Sequence, residues 1–496
     1  MRDSGINLLL ALLSAGLLVL IFLRFELAIL APVALAPFLV AMAREPLWKR
    51  RAGIAWAAGF VYWFGVCYWI QFVLSVHGGL GEAGGWAVFV LFALAKGLHF
   101  AAFGLLAGML MRKAWAVPAV AALWVGIERT HGPLGFAWLT LGDAGVDMTV
   151  PMRLVPYIGV YGVSFAFAMM AAAVALAMLR RPRRELLWIA VLPLLYLLPA
   201  LPEPRPGDRI AAVVQPNIGE DFQWTLDSVE NIVRRLSMLS FQAALLPNEP
   251  PAELIVWPEA PAPFYYDSNE RFRTQVNNLA RATGAHVLLG TVAHTGEGAP
   301  LNSATMVTPQ GERLGRYDKI FLVPFGEFVP PLFGFINKIS SEAGNFHPGE
   351  QIVVFPMGER RLGSFICYES AFPHLVRRFA AEGAEVFVNL SNDGYFGQSA
   401  ARKQHLRLVR MRAAENARWI IRSTNDGVTA AIDPAGRVLQ RLPENVQGAD
   451  RLRFGYNPDT TFYSRNGDWF AWLCLLAALA AVASTPIPSY RPEKRP

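Results

Sequence analysis

The sequence predicts a membrane protein: an eight-helix transmembrane bundle carrying an α/β domain outside the bilayer. Three observations predict it. Apolar residues make up 54% of the chain and charged residues only 17%, too apolar a balance for an ordinary soluble protein. Apolar stretches recur roughly at 7–23, 27–43, 53–75, 87–111, 114–127, 156–179, 187–201 and 469–485. Between the last two lies one long polar block in which β-rich runs alternate with helical patterns, the signature of a layered α/β domain.

The apolar stretches come first. A helix needs about 20 residues to cross the hydrocarbon core. By length alone the fifth and seventh stretches fall short, and the seventh contains Pro193 and Pro199. Charge decides the count. The net charge of +7 is not spread evenly. Basic residues cluster at Arg44/Lys49/Arg50/Arg51, Arg112/Lys113, Arg180/Arg181/Arg183/Arg184 and Arg491/Lys494/Arg495. All four clusters fall on one side if all eight stretches span, and the intervening short loops are nearly free of Lys and Arg. The positive-inside rule then places both termini in the cytoplasm and residues 202–468 outside. The first stretch follows Arg2 as a signal peptide would. No small-residue cleavage site follows it, so it reads as a retained span. The expected domains are 1–201 with seven spans, 202–468 outside the membrane, and 469–496 with the eighth span and tail. Charge at span ends is a topology signal and argues against nucleic-acid binding.

Lys96 and His99 lie within the fourth stretch on one helix face. An ionisable residue at membrane depth is a functional candidate. Its plainer reading is a lysine paired with an interior acid or wetted from a cavity.

In the polar block, Ile210–Val214, Leu254–Trp257, His286–Leu289, Gly363–Cys367 and Val386–Leu390 are continuous apolar runs of strand length. Such runs suit strands buried on both faces. Helical patterns occupy about 228–246 and an Arg-rich stretch near 400–418. Polar residues stand at the strand exits: Glu259 after Trp257-Pro258, Cys367 at the end of its run, and Asn392 with Asp393 after Ser391. Strand ends along one sheet edge are the usual place for a site in such a domain.

Cys367 is the candidate nucleophile. The other two of the three cysteines, Cys67 and Cys474, lie inside apolar segments. Three cysteines give no disulfide framework and no zinc spacing, and the eight histidines form no H-E-x-x-H pair, so neither metal nor cofactor is expected. A lysine can lower a thiol's pKa and face an oxyanion, and a carboxylate can take the thiol proton. Lys319 and Glu259 supply those groups. Taken alone, Lys319 reads as a solvated loop charge and Glu259 as a helix N-terminal acid.

Trp257-Pro258-Glu259, Tyr317-Asp318-Lys319 with Val323-Pro324-Phe325-Gly326-Glu327, and Ile366-Cys367-Tyr368-Glu369 together resemble the Glu-Lys-Cys signature of the nitrilase superfamily. With the flanking spans, essentially the whole chain resembles the apolipoprotein N-acyltransferase family of bacterial inner membranes. Gln215-Pro216-Asn217-Ile218 with Trp224, Ser391-Asn392-Asp393, Arg422 to Thr429, and Gly135-Phe136-Ala137-Trp138 extend the match. Two places depart from the family pattern: Ala137 stands where proline is expected, and Gly394-Tyr395-Phe396 where alanine and tryptophan are.

The resemblance implies a four-layer αββα sandwich on a helical membrane bundle, with its catalytic domain in the periplasm. It implies ping-pong acyl transfer from a phospholipid, through a thioester on Cys367, to the α-amine of a diacylglyceryl-cysteine on an apolipoprotein. Glu259 would be the base, Lys319 the oxyanion partner, and Glu327 a second carboxylate holding Lys319 or the incoming amine. Tyr368 and Glu369 would support the nucleophile. Trp138, Trp224, Phe333 and Asn392 are candidates for contact with substrate, and the chain is expected to act as a monomer.

The apolar stretch Phe321 to Ile336 is either domain core or a lipid-facing surface. Two rivals remain: a tethered amidase acting on a soluble amide, and a transporter with an external domain. Eight spans exceed what an amidase anchor needs, and no internal repeat supports the transporter.

The orientation is directly testable. A cysteine introduced between Pro202 and Asp208 should react with an impermeant thiol reagent in intact cells, and one at Arg183 should not. The reverse pattern would overturn the eight-span arrangement.

Overall fold

The computed structural model describes residues 2–133, 136–219, 222, 225–259, 264–328 and 346–485. Trp224, Phe333 and the Arg491 cluster lie outside these residues, as do Gly135 and residues 329–336 of the stretch from Phe321 to Ile336.

Among the described residues, four helices are long and apolar enough to cross a membrane: Asp3–Leu23, Phe25–Arg44, Gly81–Leu110 and Pro151–Met178. A fifth is a bent pair, Trp48–Val66 and Ile70–His77, that turns by 69° at the break. The remaining stretches are shorter or irregular. Ala116–Thr130 and Trp469–Ala483 have 15 residues each, or about 22 Å at 1.5 Å per residue. Arg183–Leu197 is wound as a 3-10 helix with Pro193 inside it.

Lys96 is buried, and no acid among the described residues pairs with it. Its Nζ donates to the carbonyl of Phe136 at 3.0 Å and stands 4.6 Å from the centre of the Trp63 ring. A carbonyl and an aromatic face take the place of a counter-ion.

The polar block folds into two six-stranded sheets packed face to face. The strands are β1 Arg209–Gln215, β2 Leu254–Val256, β3 His286–His294, β4 Pro300–Val307, β5 Arg313–Asp318, β6 Val354–Met357, β7 Arg360–Ile366, β8 Val386–Ser391, β9 Trp419–Thr424, β10 Ala430–Ile432, β11 Val438–Arg441 and β12 Gly448–Phe454. Their orders are β12-β1-β2-β3-β4-β5 and β11-β10-β9-β8-β7-β6. Each sheet has a parallel core of three strands, β1-β2-β3 and β7-β8-β9, continued by an antiparallel pair. Every apolar run marked in the sequence is one of these core strands. The helices Leu226–Ala244 and Glu270–Thr283 cover the outer face of the first sheet. Thr225 and Asn269 cap their N-termini, and Gly284 ends the second in the left-handed conformation, which glycine adopts without steric cost. Pro373–Ala381 and Ala401–Asn416 cover the other sheet, giving four layers.

The domain is seated on the apolar helices by buried hydrogen bonds. Gln404 donates to the carbonyls of Phe22 and Val66 at 3.3 and 3.2 Å and accepts from Trp138 Nε1 at 2.8 Å. One glutamine thus ties the first helix, the bent helix and the loop after residue 135 to Ala401–Asn416. A second joint forms where the helix Val155–Met178 breaks at Gly159, whose φ is 65° and ψ −169°. The Val160 amide then donates to Glu415 at 2.9 Å. A Cβ on Gly159 would stand 2.6 Å from the Tyr463 ring. That backbone region is essentially restricted to glycine and costs other residues about 1–3 kcal/mol. Gly159→Ala should therefore lower the melting temperature of the detergent-solubilised protein, and an unchanged value would show that the joint relaxes without cost.

Candidate active site

The site forms where the two sheets bring their strand ends together. Glu259 follows β2, Lys319 follows β5, Cys367 follows β7 and Asn392 follows β8. Glu259 and Asn392 thus leave equivalent second strands of the two parallel cores. They meet directly: the Asn392 amide donates to Glu259 Oε2 at 2.9 Å.

Lys319 is 1% exposed, so its charge is removed from water and must be paired. Its Nζ lies 3.0 Å from Glu259 Oε1 and 2.9 Å from Glu327 Oε1. Asn302, on β4, donates to the same two oxygens at 2.7 and 2.6 Å. Glu327 Oε2 accepts from the Val323 amide at 2.7 Å. Burial alone would lower the Lys319 pKa, but Glu259 and Glu327 override it and hold the ammonium well above its ordinary range. Glu327 and Lys319 thus form a buried ion pair.

Cys367 is buried and unpaired, as are Cys67 and Cys474. Its φ of 49° places it in the left-handed region, strained for any residue with a Cβ. Burial pushes its thiol up, Glu259 adds to the push, and Lys319 opposes it. The thiol is thus protonated at rest. Attack requires that its proton leave as the new bond forms, and the site provides carboxylates to receive it.

Glu369 clamps the end of the Cys367 strand to the loop after Lys319. Its Oε2 accepts from the Ile366 amide at 2.7 Å. Its Oε1 accepts from the Ile320 amide at 2.7 Å and the Tyr317 hydroxyl at 2.6 Å. Burial pushes this carboxyl up to about 7 against the pull of those donors. Tyr368 faces the membrane helices. Its hydroxyl accepts from the Ala137 amide at 3.1 Å, and its ring stacks on Phe136.

Glu259, Lys319, Glu327, Cys367, Tyr368, Glu369 and Asn392 are therefore gathered in one place. Asn392 accepts from Asn425 through its side chain at 3.2 Å and so fixes the turn that holds Glu259. Trp138 sits just beneath, buried against Trp69 and Phe396 and bonded to Gln404. The departure at Tyr395 and Phe396 falls on the same seam: Tyr395 stacks on His77 and Phe396 packs on Trp69. In the described part of the apolar stretch, Phe321 stacks on Phe372 and Leu322 is buried.

Sequence reasoning missed Asn302. The spacing of Leu301-Asn302-Ser303 carries no motif, and only the strand pairing aims it at two carboxylates.

Residues 14–173 match the apolipoprotein N-acyltransferase N-terminal domain family, and residues 210–449 the carbon-nitrogen hydrolase family. An apolipoprotein N-acyltransferase of Geobacter metallireducens is 32% identical over 96% of this chain and 94% of its own length. That of Pseudomonas syringae pv. tomato is 31% identical over 89% of both chains. A crystal structure of an amidase from Nesterenkonia aligns with 54% of this chain and 98% of its own at 20% identity and a TM-score of 0.40. With a membrane-helix region and a nitrilase-type domain both matched, and a relative aligned almost end to end, the chain belongs to the apolipoprotein N-acyltransferase family.

Proposed function

We propose that this enzyme N-acylates lipoproteins by moving an acyl chain from a phospholipid to Cys367 and from there to the α-amine of a diacylglyceryl-cysteine. The buried cluster of Lys319 between Glu259 and Glu327, set beside an unpaired thiol, carries this reading. Glu327 is held by Lys319, Asn302 and the Val323 amide, and Glu259 is assigned as the base.

In the first half-reaction the Cys367 sulfur bonds to the ester carbonyl carbon while its proton passes to Glu259. The oxyanion that develops is held by the Lys319 ammonium. The carbon–oxygen bond then breaks, Glu259 returns the proton to the departing glycerol oxygen, and a lysophospholipid leaves. In the second, the acceptor amine bonds to the thioester carbon and gives a proton to Glu259. The carbon–sulfur bond breaks, the proton returns to sulfur, and an amide is formed. No cofactor is required.

The same reading extends to the membrane. We infer eight spans: seven in residues 1–201 and one in 469–496, with the catalytic domain on 202–468 in the periplasm. The short helices Ala116–Thr130 and Trp469–Ala483 pack closely, with a Cβ on Gly126 falling 3.0 Å from Leu475, and Arg129 pairs with Asp468 at 2.7 Å. The 3-10 stretch Arg183–Leu197 exposes Leu187, Leu194, Tyr196 and Leu197. At about 2.0 Å per residue its 15 residues reach about 30 Å, the thickness of the hydrocarbon core. Both the acyl donor and the lipid-bearing acceptor live in that bilayer, beside the seam under Tyr368.

Mass spectrometry of the protein incubated with phospholipid should find an acyl adduct on Cys367, and Cys367→Ala should lose both adduct and N-acylation. Lys319→Ala and Glu259→Gln should slow adduct formation by about a hundredfold or more. Lys319→Ala also strands two buried carboxylates, at about 3–5 kcal/mol, so its rate is read on protein shown to be folded. An alanine variant at 367 with normal activity would sink the mechanism.

A further inference from the structure

His405 lies on the Arg-rich helix Ala401–Asn416 and is fully buried. Its two ring nitrogens have different neighbours. Nε2 stands 3.0 Å from the carbonyl oxygen of Cys367. Nδ1 stands 3.0 Å from Asp393 Oδ1 and 3.2 Å from Arg422 Nη2. A carbonyl oxygen only accepts, so Nε2 carries a hydrogen. Burial, and then the Arg422 charge, lower the imidazole's pKa, while Asp393 and the Cys367 carbonyl oppose them. Nδ1 lies between the Asp393 carboxylate and the Arg422 guanidinium.

Arg422 is itself fixed. Its Nη2 donates to both Asp393 oxygens at 2.9 and 2.8 Å, its Nε to the Val428 carbonyl at 3.2 Å, and its Nη1 to Asn389. Asp393 takes a further bond from Ser391 Oγ at 2.9 Å. Gly427 leaves room for this, because a Cβ there would stand 2.1 Å from Asp393 Oδ2. Both nitrogens of His405 are engaged, so it has no free lone pair for base catalysis.

The left-handed backbone at Cys367 turns its carbonyl away from the strand ladder, and His405 is the group that receives it. We propose that His405 is a positioning residue for the nucleophile: its ring, fixed at Nδ1 by Arg422 and Asp393, donates from Nε2 to the Cys367 carbonyl and so sets where the thiol stands. The proposal rests on Cys367 being the acylated residue.

Two substitutions separate the two ends of the ring. Glutamine places its amide nitrogen near the position of Nε2, and asparagine near that of Nδ1. His405→Gln keeps a donor for the Cys367 carbonyl, and His405→Asn removes it. Acyl-adduct formation on Cys367 is followed by mass spectrometry with mixed phosphatidylethanolamine and phosphatidylglycerol vesicles. His405→Asn should lower kcat for the adduct about a hundredfold with KM little changed, the cost of displacing a reacting atom by about 1 Å. His405→Gln should recover most of that loss. A wild-type rate in the asparagine variant, or equal losses in both, overturns the proposal. Should the asparagine variant not fold, the glutamine variant decides alone: a rate more than about tenfold below wild type in folded protein overturns it. Cys367→Ala runs alongside. Loss of its adduct leaves any failure with His405, whereas an adduct that persists removes the nucleophile itself.

Discussion

An ammonium buried between two carboxylates organises the catalytic half of this protein. Lys319 cannot be dehydrated without Glu259 and Glu327, and neither carboxylate can be buried there without Lys319 and Asn302. These groups come from the ends of β2 and β5, from β4, and from the loop after residue 320. Asn392 brings in the end of β8 through Glu259. Satisfying one set of charges therefore fixes how the two sheets face each other. Glu369 adds a second tie across the same gap, between the end of β7 and the loop after Lys319.

The cluster also explains why the thiol is quiet at rest. Burial disfavours a thiolate at Cys367 most, and Glu259 adds to it against the pull of Lys319, because one ammonium faces two carboxylates. Reactivity depends instead on a carbonyl being present to accept the sulfur while the proton leaves. A thiol held in this form resists adventitious thiol chemistry.

Much of this was legible in the sequence. The five apolar runs are the β1, β2, β3, β7 and β8 strands, because strands buried on both faces need unbroken apolar character. The candidate site was legible because Glu259, Lys319 and Cys367 each stand at a strand exit within a recognisable motif. What escaped were strands that bury polar side chains. On β4, Asn302 and Ser303 are buried and bonded, and on β9 Arg422 is fully buried against Asp393. Such residues break the apolar run that marks a strand, and only tertiary partners make their burial tolerable. His405 and Gln404 escaped for a related reason: four arginines and a lysine mark their helix only as an Arg-rich stretch. The lengths of the helices escaped as well. Charge placement marks the ends of apolar stretches without showing that one is bent by 69° and another wound as a 3-10 helix.

Gln404 has a bearing on the order of assembly. It donates to Phe22, 382 residues earlier in the chain, and to Val66, 338 residues earlier. At about 5–20 residues per second, roughly 20–80 s of synthesis separate Phe22 from its partner. Throughout that interval the first helices have to persist in the bilayer with this joint open. The seam between bundle and catalytic domain is therefore a late event in biogenesis, and a truncated chain that stops short of residue 404 never closes it.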